Sequence, residues 1–281
     1  MYVRPTTIDE AIGALASQGG RILAGGTDFF PSQGDRPIVG PVLDISAIGA
    51  LKGVEVTPDQ IRIGAGTTWS QVIATDLPAA FDGLKAAARE VGGWQIQNLG
   101  TIAGNLCNAS PAADGVPPLL ALDASVELAG PTGRRILPLD RFILGPRRTA
   151  LASDEMVVAI LVPRPAETAR SSFLKLGGRR YLVISIVMVA AEVTLDDQGR
   201  VARARIAVGS CSAVAQRLPA LERALLGADA GAGLAARVQP DHLAPLQPID
   251  DVRATAAYRL DAALTLVGRA LDACLTEPAR A

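Results

Sequence analysis

Residues 94–124, WQIQNLGTIAGNLCNASPAADGVPPLLALDA, leave a folding chain few options. Asp114 and Asp123 are the only charges in a stretch rich in Ala, Asn, Gly and Leu. So many main-chain donors and acceptors with so little charge need internal partners or a ligand. The segment is predicted to be a long buried or ligand-facing loop, closed by a short helix over 119–122. The remainder can supply a core, because 49% of the 281 residues are apolar. That excludes a disordered chain and allows one large domain or two modest ones.

Periodicity places elements on both sides of this segment. Thr6 or Thr7 caps a helix over 8–16, with Glu10 in capping-box spacing from Thr7. A strand over 21–24 stops at Gly25-Gly26. Strands follow over 39–45, 53–56 and 60–64, then a short helix through Ala74 capped by Thr67 or Thr68, and a helix over 84–91. Strands 125–129 and 134–138 form a hairpin, and prolines mark a boundary at 162–165. Beyond it come a strand over 172–176 and a hairpin of 187–195 with 201–208 about Asp196-Asp197-Gln198-Gly199. Helices are predicted over 218–226, part of 230–238, and 251–275. The last shows one apolar face of Ala254, Ala257, Tyr258, Leu260, Ala263, Leu264, Val267 and Leu271. Strands followed by helices make this second half α+β.

Charge and composition exclude several function classes. Lys and Arg number 27 against 28 Asp and Glu, so no basic excess points to nucleic acid. Cys107, Cys211 and Cys274 form no CxxC pair, which argues against a cluster or structural zinc on this chain. His242 is the only histidine, against a multi-histidine metal site. The longest apolar run, 182–191, falls short of a membrane span. The start lacks the shape of a signal peptide and the cysteines suit a reducing compartment, so the expected localisation is cytoplasmic.

Two glycine-rich turns are the candidate sites. The first, Leu23-Ala24-Gly25-Gly26-Thr27-Asp28-Phe29, is either a plain strand-to-turn pair or a concave anion cradle of successive N–H groups. The second is Gly100-Thr101-Ile102-Ala103-Gly104-Asn105, with Thr101 and Asn105 as side-chain donors. Neither spacing is GxGxxG, and no GK[ST] occurs. Asp114 either caps the helix that follows or accepts hydrogen bonds from a sugar or ribityl hydroxyl. Two cradles without Lys or Arg suit a pyrophosphate held by main chain, as in a permanently bound dinucleotide.

With AGGTD at 24–28, IGAGTTW at 63–69 and QIQNLGTIAGNLCNASPAAD at 95–114, the chain resembles the FAD-binding medium subunits of molybdenum hydroxylases, the xanthine and carbon monoxide dehydrogenase type. FLKLGGRRYLVIS at 173–185, RARIAVGS at 203–210 and DVRATAAYR at 251–259 extend the resemblance into the second half. It implies an α+β fold. A two-part FAD-binding domain of the vanillyl-alcohol-oxidase (PCMH) type would span 1–165, with subdomains of about 1–55 and 56–165. A small α+β C-terminal domain like that of the CO dehydrogenase flavoprotein would span 166–281. Leu23 to Phe29 and Thr101 to Asn105 would contact the FAD pyrophosphate and its surroundings. Asp114 matches an FAD-contacting aspartate, Leu151 a position near the flavin, and Lys175 a lysine beside the isoalloxazine.

The resemblance further implies an electron-transfer flavoprotein subunit, an oxidoreductase without catalytic residues of its own. Electrons would come from the 2Fe–2S clusters of a small partner and leave to an external acceptor. A large partner would carry the molybdenum cofactor, in a dimer of heterotrimers. The alternative is a self-sufficient FAD-dependent oxidase on the same fold, and a third reading is a nucleotide-binding module without catalysis. Ala103 stands where the family often has glycine, which requires a negative φ there, and Gln97 replaces a frequent Arg. The cysteine insert of the benzoyl-CoA reductase branch is absent. Cys107 is expected to be a packed thiol rather than a covalent flavin link, His242 a surface residue, Trp69 and Trp94 packing residues, and Tyr181 a hairpin-edge residue or a limit on access to the ring.

Overall fold

The computed structural model describes residues 1–276, which fall into two compact units interleaved along the chain. The first unit comprises residues 1–75, 92–109 and 123–164; the second comprises 76–91, 110–122 and 165 onward.

In the first unit, Tyr2–Val3, Val42–Asp44 and Arg21–Leu23 form a parallel three-stranded sheet with Val42–Asp44 in the centre. The helix Ile8–Gln18 carries the expected capping box of Thr7 and Glu10. A five-stranded antiparallel sheet runs in the order Val54–Val56, Gln60–Gly64, Met156–Pro163, Ser125–Gly130, Gly133–Pro138. Its central strand, Met156–Pro163, lies in a stretch to which periodicity assigned nothing. A strand buried on both faces loses the polar alternation that would reveal it. The helix Trp69–Ala74 begins at Thr68, which makes a capping box with Gln71.

In the second unit, Arg170–Leu176, Val187–Leu195, Val201–Gly209 and Gln216–Arg217 form an antiparallel sheet in that order. One face packs Val187, Val189, Val193, Ile206 and Val208 against Leu221 and Leu225 of the helix Pro219–Leu225 and Leu266, Val267 and Leu271 of the helix Ala256–Ala273. The other face packs Phe173, Met188 and Ala190 against Ala87 and Ala121, from the helices Asp82–Glu90 and Val116–Ala121. Each fully buried Val or Leu here contributes about 1.5–3 kcal/mol by area. Cover on both sides explains why VMVAAEVTL reads as a nearly unbroken apolar run.

The last helix differs from expectation. It starts at Ala256 under a Thr255 cap, and its buried face is Arg259, Ala262, Ala263, Leu266, Val267, Ala270 and Leu271, leaving Tyr258 exposed. Of the expected face, Ala263, Val267 and Leu271 are buried and Ala254, Leu260 and Leu264 pack partly against the core, while Ala257 and Tyr258 are exposed because the buried Arg259 takes the core-facing position in the first turn. The helix expected within 230–238 is two short 3-10 turns, Ala230–Ala232 and Ala235–Arg237.

Candidate cofactor site

The first glycine turn follows directly from the parallel ladder, which ends where Leu23 pairs with Asp44. The Phe30 N–H donates to the Gly26 carbonyl at 3.2 Å and the Ser32 N–H to the Asp28 carbonyl at 3.0 Å. Among the described residues, the backbone N–H groups of Gly25, Gly26, Thr27, Asp28 and Phe29 donate to no protein acceptor. Consecutive unspent donors in a turn suit an anion. Gly26 has φ +74°, a conformation that disfavours any side chain.

Gly25 has a different requirement. A Cβ there would lie 1.8 Å from the Leu99 carbonyl oxygen and 3.0 Å from the Gly100 Cα. The first turn therefore rests directly on the main chain that opens the second. A Cβ on Gly100 would in turn lie 3.2 Å from Thr27 Oγ1. The two motifs, far apart in sequence, meet inside the first unit.

The second motif is not a loop. Trp94–Leu99 and Ile102–Asn108 are short helices joined at Gly100-Thr101, and Val116–Ala121 is a third. Thr101 caps the middle one, accepting from the Gly104 N–H at 3.1 Å, while its carbonyl accepts from the Asn105 N–H at 3.1 Å. The Ile102 N–H donates to the Thr67 carbonyl at 3.0 Å, and the Trp69 N–H donates to the Gly100 carbonyl at 3.2 Å. Small residues and Asn signal a loop by composition, yet here they allow close packing of short capped helices. Ala103 is helical and buried, so its φ is negative and its methyl is accommodated. Trp69 is fully buried, but Trp94 is 82% exposed, against the expectation that both pack. Cys107 is also exposed rather than packed. Leu151 is half-buried just past the strand Arg148–Thr149.

The second unit holds Asp114 and Lys175. Asp114 does not cap a helix: Val116–Ala121 has Gly115 at its N-cap with no side-chain bond. Instead Lys175 Nζ donates to Asp114 Oδ2 at 2.9 Å and Ser185 Oγ donates to Asp114 Oδ1 at 3.2 Å. The Lys175 and Asp114 side chains are only 7% and 12% exposed. Burial pushes the Asp114 carboxyl above its ordinary value, and the Lys175 ammonium offsets only part of that rise. Tyr181 is exposed, with the Arg180 guanidinium 5.2 Å from its ring centre. His242 Nδ1 accepts from the Gln239 N–H at 3.0 Å, a turn-closing role. Sequence reasoning missed Ser185 as a partner of Asp114; its only sign was a serine interrupting an apolar run.

Among the described residues no cluster of His, Cys, Asp or Glu is placed to hold a metal, and no helix is long and apolar enough to cross a membrane. Unspent amides in a glycine turn without Lys or Arg fit the diphosphate of a dinucleotide better than a metal-dependent nucleotide. The fold and site thus define an α+β protein suited to a phosphate-bearing organic cofactor. Comparison with known proteins narrows the class. A family model described as the FAD binding domain in molybdopterin dehydrogenase matches residues 1–165, and one for the CO dehydrogenase flavoprotein C-terminal domain matches residues 172–274. The xanthine dehydrogenase FAD-binding subunit of Escherichia coli O157:H7 is 31% identical over 278 residues, covering 96% of this chain and 94% of that protein. The nicotinate dehydrogenase FAD-subunit of Eubacterium barkeri is 37% identical over 212 residues, 70% of each chain. A solved structure of carbon monoxide dehydrogenase from Hydrogenophaga pseudoflava superimposes with a TM-score of 0.87 at 30% identity, covering 98% of this chain and 96% of that one. The chain belongs to the family of FAD-binding flavoprotein subunits of molybdenum hydroxylases, and its cofactor is FAD.

Proposed function

We propose that this chain is the electron-transfer subunit of a molybdenum-containing hydroxylase, holding FAD without a covalent bond. The turn from Leu23 to Phe29 and the segment from Thr101 to Asn105 bind the FAD diphosphate and its surroundings. Asp114, Leu151 and Lys175 complete the set of cofactor contacts. Residues 1–165 act as the FAD-binding domain and 166–281 as its C-terminal companion. Five unspent amides in one turn without Lys or Arg, packed on the main chain of the second motif, carry this reading.

Bound FAD supplies a store for two electrons that can be filled one at a time. The chain binds and orients that store and sets its electrostatic surroundings. A small partner with 2Fe–2S clusters delivers the electrons, a large partner with the molybdenum cofactor oxidises the substrate, and an external acceptor removes the electrons. The complex is a dimer of heterotrimers located in the cytoplasm. The chain does not act on the organic substrate itself.

Purification of the intact complex tests the reading. The expected result is this chain with a cluster-bearing and a molybdenum-bearing subunit, and one FAD per copy. Gly104→Val is expected to abolish FAD retention, because a branched side chain would press on Thr101 Oγ1, already 2.8 Å from an added Cβ. Stoichiometric FAD in that variant would show that the 101–105 segment does not bind it. Substrate oxidation by the lone chain would instead identify a self-sufficient oxidase.

A further inference from the structure

The helix Ala256–Ala273 carries a buried arginine that the cofactor contacts do not use. Arg259 is 3% exposed, and its guanidinium spans two separate segments. Nη1 donates to the Ile186 carbonyl at 2.5 Å and to the Ser210 carbonyl at 3.1 Å, and Nη2 donates to Asp251 Oδ1 at 2.7 Å. Both segments lead to Asp114. Ile186 follows Ser185, whose hydroxyl donates to Asp114 Oδ1. The Ser210 N–H donates to the Pro111 carbonyl at 3.0 Å, on the strand of chain that delivers Asp114.

This arrangement is expensive to keep. Arg259 Nε and Ser210 Oγ are buried without a hydrogen-bond partner, and Ser210 has φ +64°, a left-handed conformation rare for serine. A buried ion pair is often no more stabilising than apolar residues of similar volume. A core built only for stability would do as well with an apolar side chain at 259. The cost is understandable if the guanidinium fixes the positions of the two backbone segments it bridges.

We propose that Arg259 is a positioning residue for the Asp114–Lys175 pair, acting through Ile186 and Ser185 on one side and Ser210 and Pro111 on the other. This rests on the reading of Lys175 as a neighbour of the flavin. Held by Asp251, the guanidinium keeps Ser185 directed at one Asp114 oxygen while Lys175 occupies the other. The lysine charge is thereby held at one place relative to the cofactor, where it favours added electrons by simple attraction.

The midpoint potential of bound FAD tests this, measured on the full chain in its complex alongside the unfolding temperature. Lys175→Met is expected to lower the potential. Arg259→Lys, Asp251→Asn and Ser185→Ala are expected to lower it in the same direction by a smaller amount; Asp251→Asn weakens the hold on the guanidinium and covers the case in which a variant at 259 fails to fold. If Lys175→Met lowers the potential while folded, FAD-loaded Arg259→Lys or, where that variant does not fold, Asp251→Asn keeps the parental value, Arg259 is structural only and the inference is overturned, whatever Ser185→Ala does. If Lys175→Met itself leaves the potential unchanged, the placement of Lys175 by the flavin falls, and the role of Arg259 with it.

Discussion

The glycine turn of the first unit and the aspartate cluster of the second achieve polar order by opposite means. In the turn, the amides of Gly25 to Phe29 have no protein acceptor, and the Asp28 side chain within it is exposed. In the cluster, both Asp114 oxygens are occupied by Lys175 and Ser185, and the charges are out of solvent. An incomplete hydrogen-bond inventory leaves donors for a ligand to satisfy, whereas a paired cluster is held in place by its own partners before any ligand arrives. The difference predicts that damage to the cluster appears first as lost stability, and damage to the turn first as lost FAD.

The largest effect should come from the cluster. Lys175→Met leaves the Asp114 carboxylate buried without its cation, at a cost of about 3 kcal/mol at neutral pH. The Asp114 carboxyl is already raised above its unfolded value, so folding takes up a proton there. Its contribution to stability is therefore full below the ordinary aspartate range and falls as pH rises through the folded value. Loss of Lys175 raises that value further. The deficit of the variant should shrink between pH 7 and pH 5, measured as the difference in urea midpoint from the parent. An equal deficit at both values would show that the pair is not the source.

Gly25→Ala comes next. Its methyl would fall on the Leu99 carbonyl oxygen, and the two turns would have to separate. Overpacking of this kind costs about 1–3 kcal/mol. FAD binding should weaken by roughly tenfold or more, since tenfold is only about 1.4 kcal/mol. Titration of the FAD-free chain with FAD reads that change; unchanged affinity would break the proposed contrast between turn and cluster.

Smaller effects should come from the supports. Thr101→Ala removes the cap of the helix Ile102–Asn108 and should cost about 1 kcal/mol. Chemical denaturation checks it, and Thr101→Ser should restore most of the loss. Trp94→Ser, at an exposed position, should change the stability of the lone chain by no more than about 0.5 kcal/mol. A larger loss would mean that the indole packs in a way its exposure does not suggest.

Much of the local structure could be read from residues alone. The Thr7–Glu10 capping box, the Thr68 cap and the hairpin about Asp196 are short-range devices, and each formed as its spacing required. Periodicity failed where burial was two-sided or interrupted. Met156–Pro163 has no polar face to alternate with, and Arg259 hid the core-facing position in the first turn of the last helix. The AGGTD and GTIAGN motifs pointed to a cofactor, and the family comparison agrees on FAD.

The sequence by itself determined the glycine turns, the caps, the lack of metal-ligand spacing and the family, because these depend on residue identity over a few positions. Only the tertiary structure decided that Gly25 must lack a side chain on account of the Leu99 carbonyl, that Asp114 answers to Lys175 and Ser185 rather than to a helix, and that helices from residues 76–91 and 110–122 cover a sheet built from residues beyond 165. Those facts join positions far apart along the chain. Such contacts are set by packing and by shared hydrogen bonds, which no local pattern records.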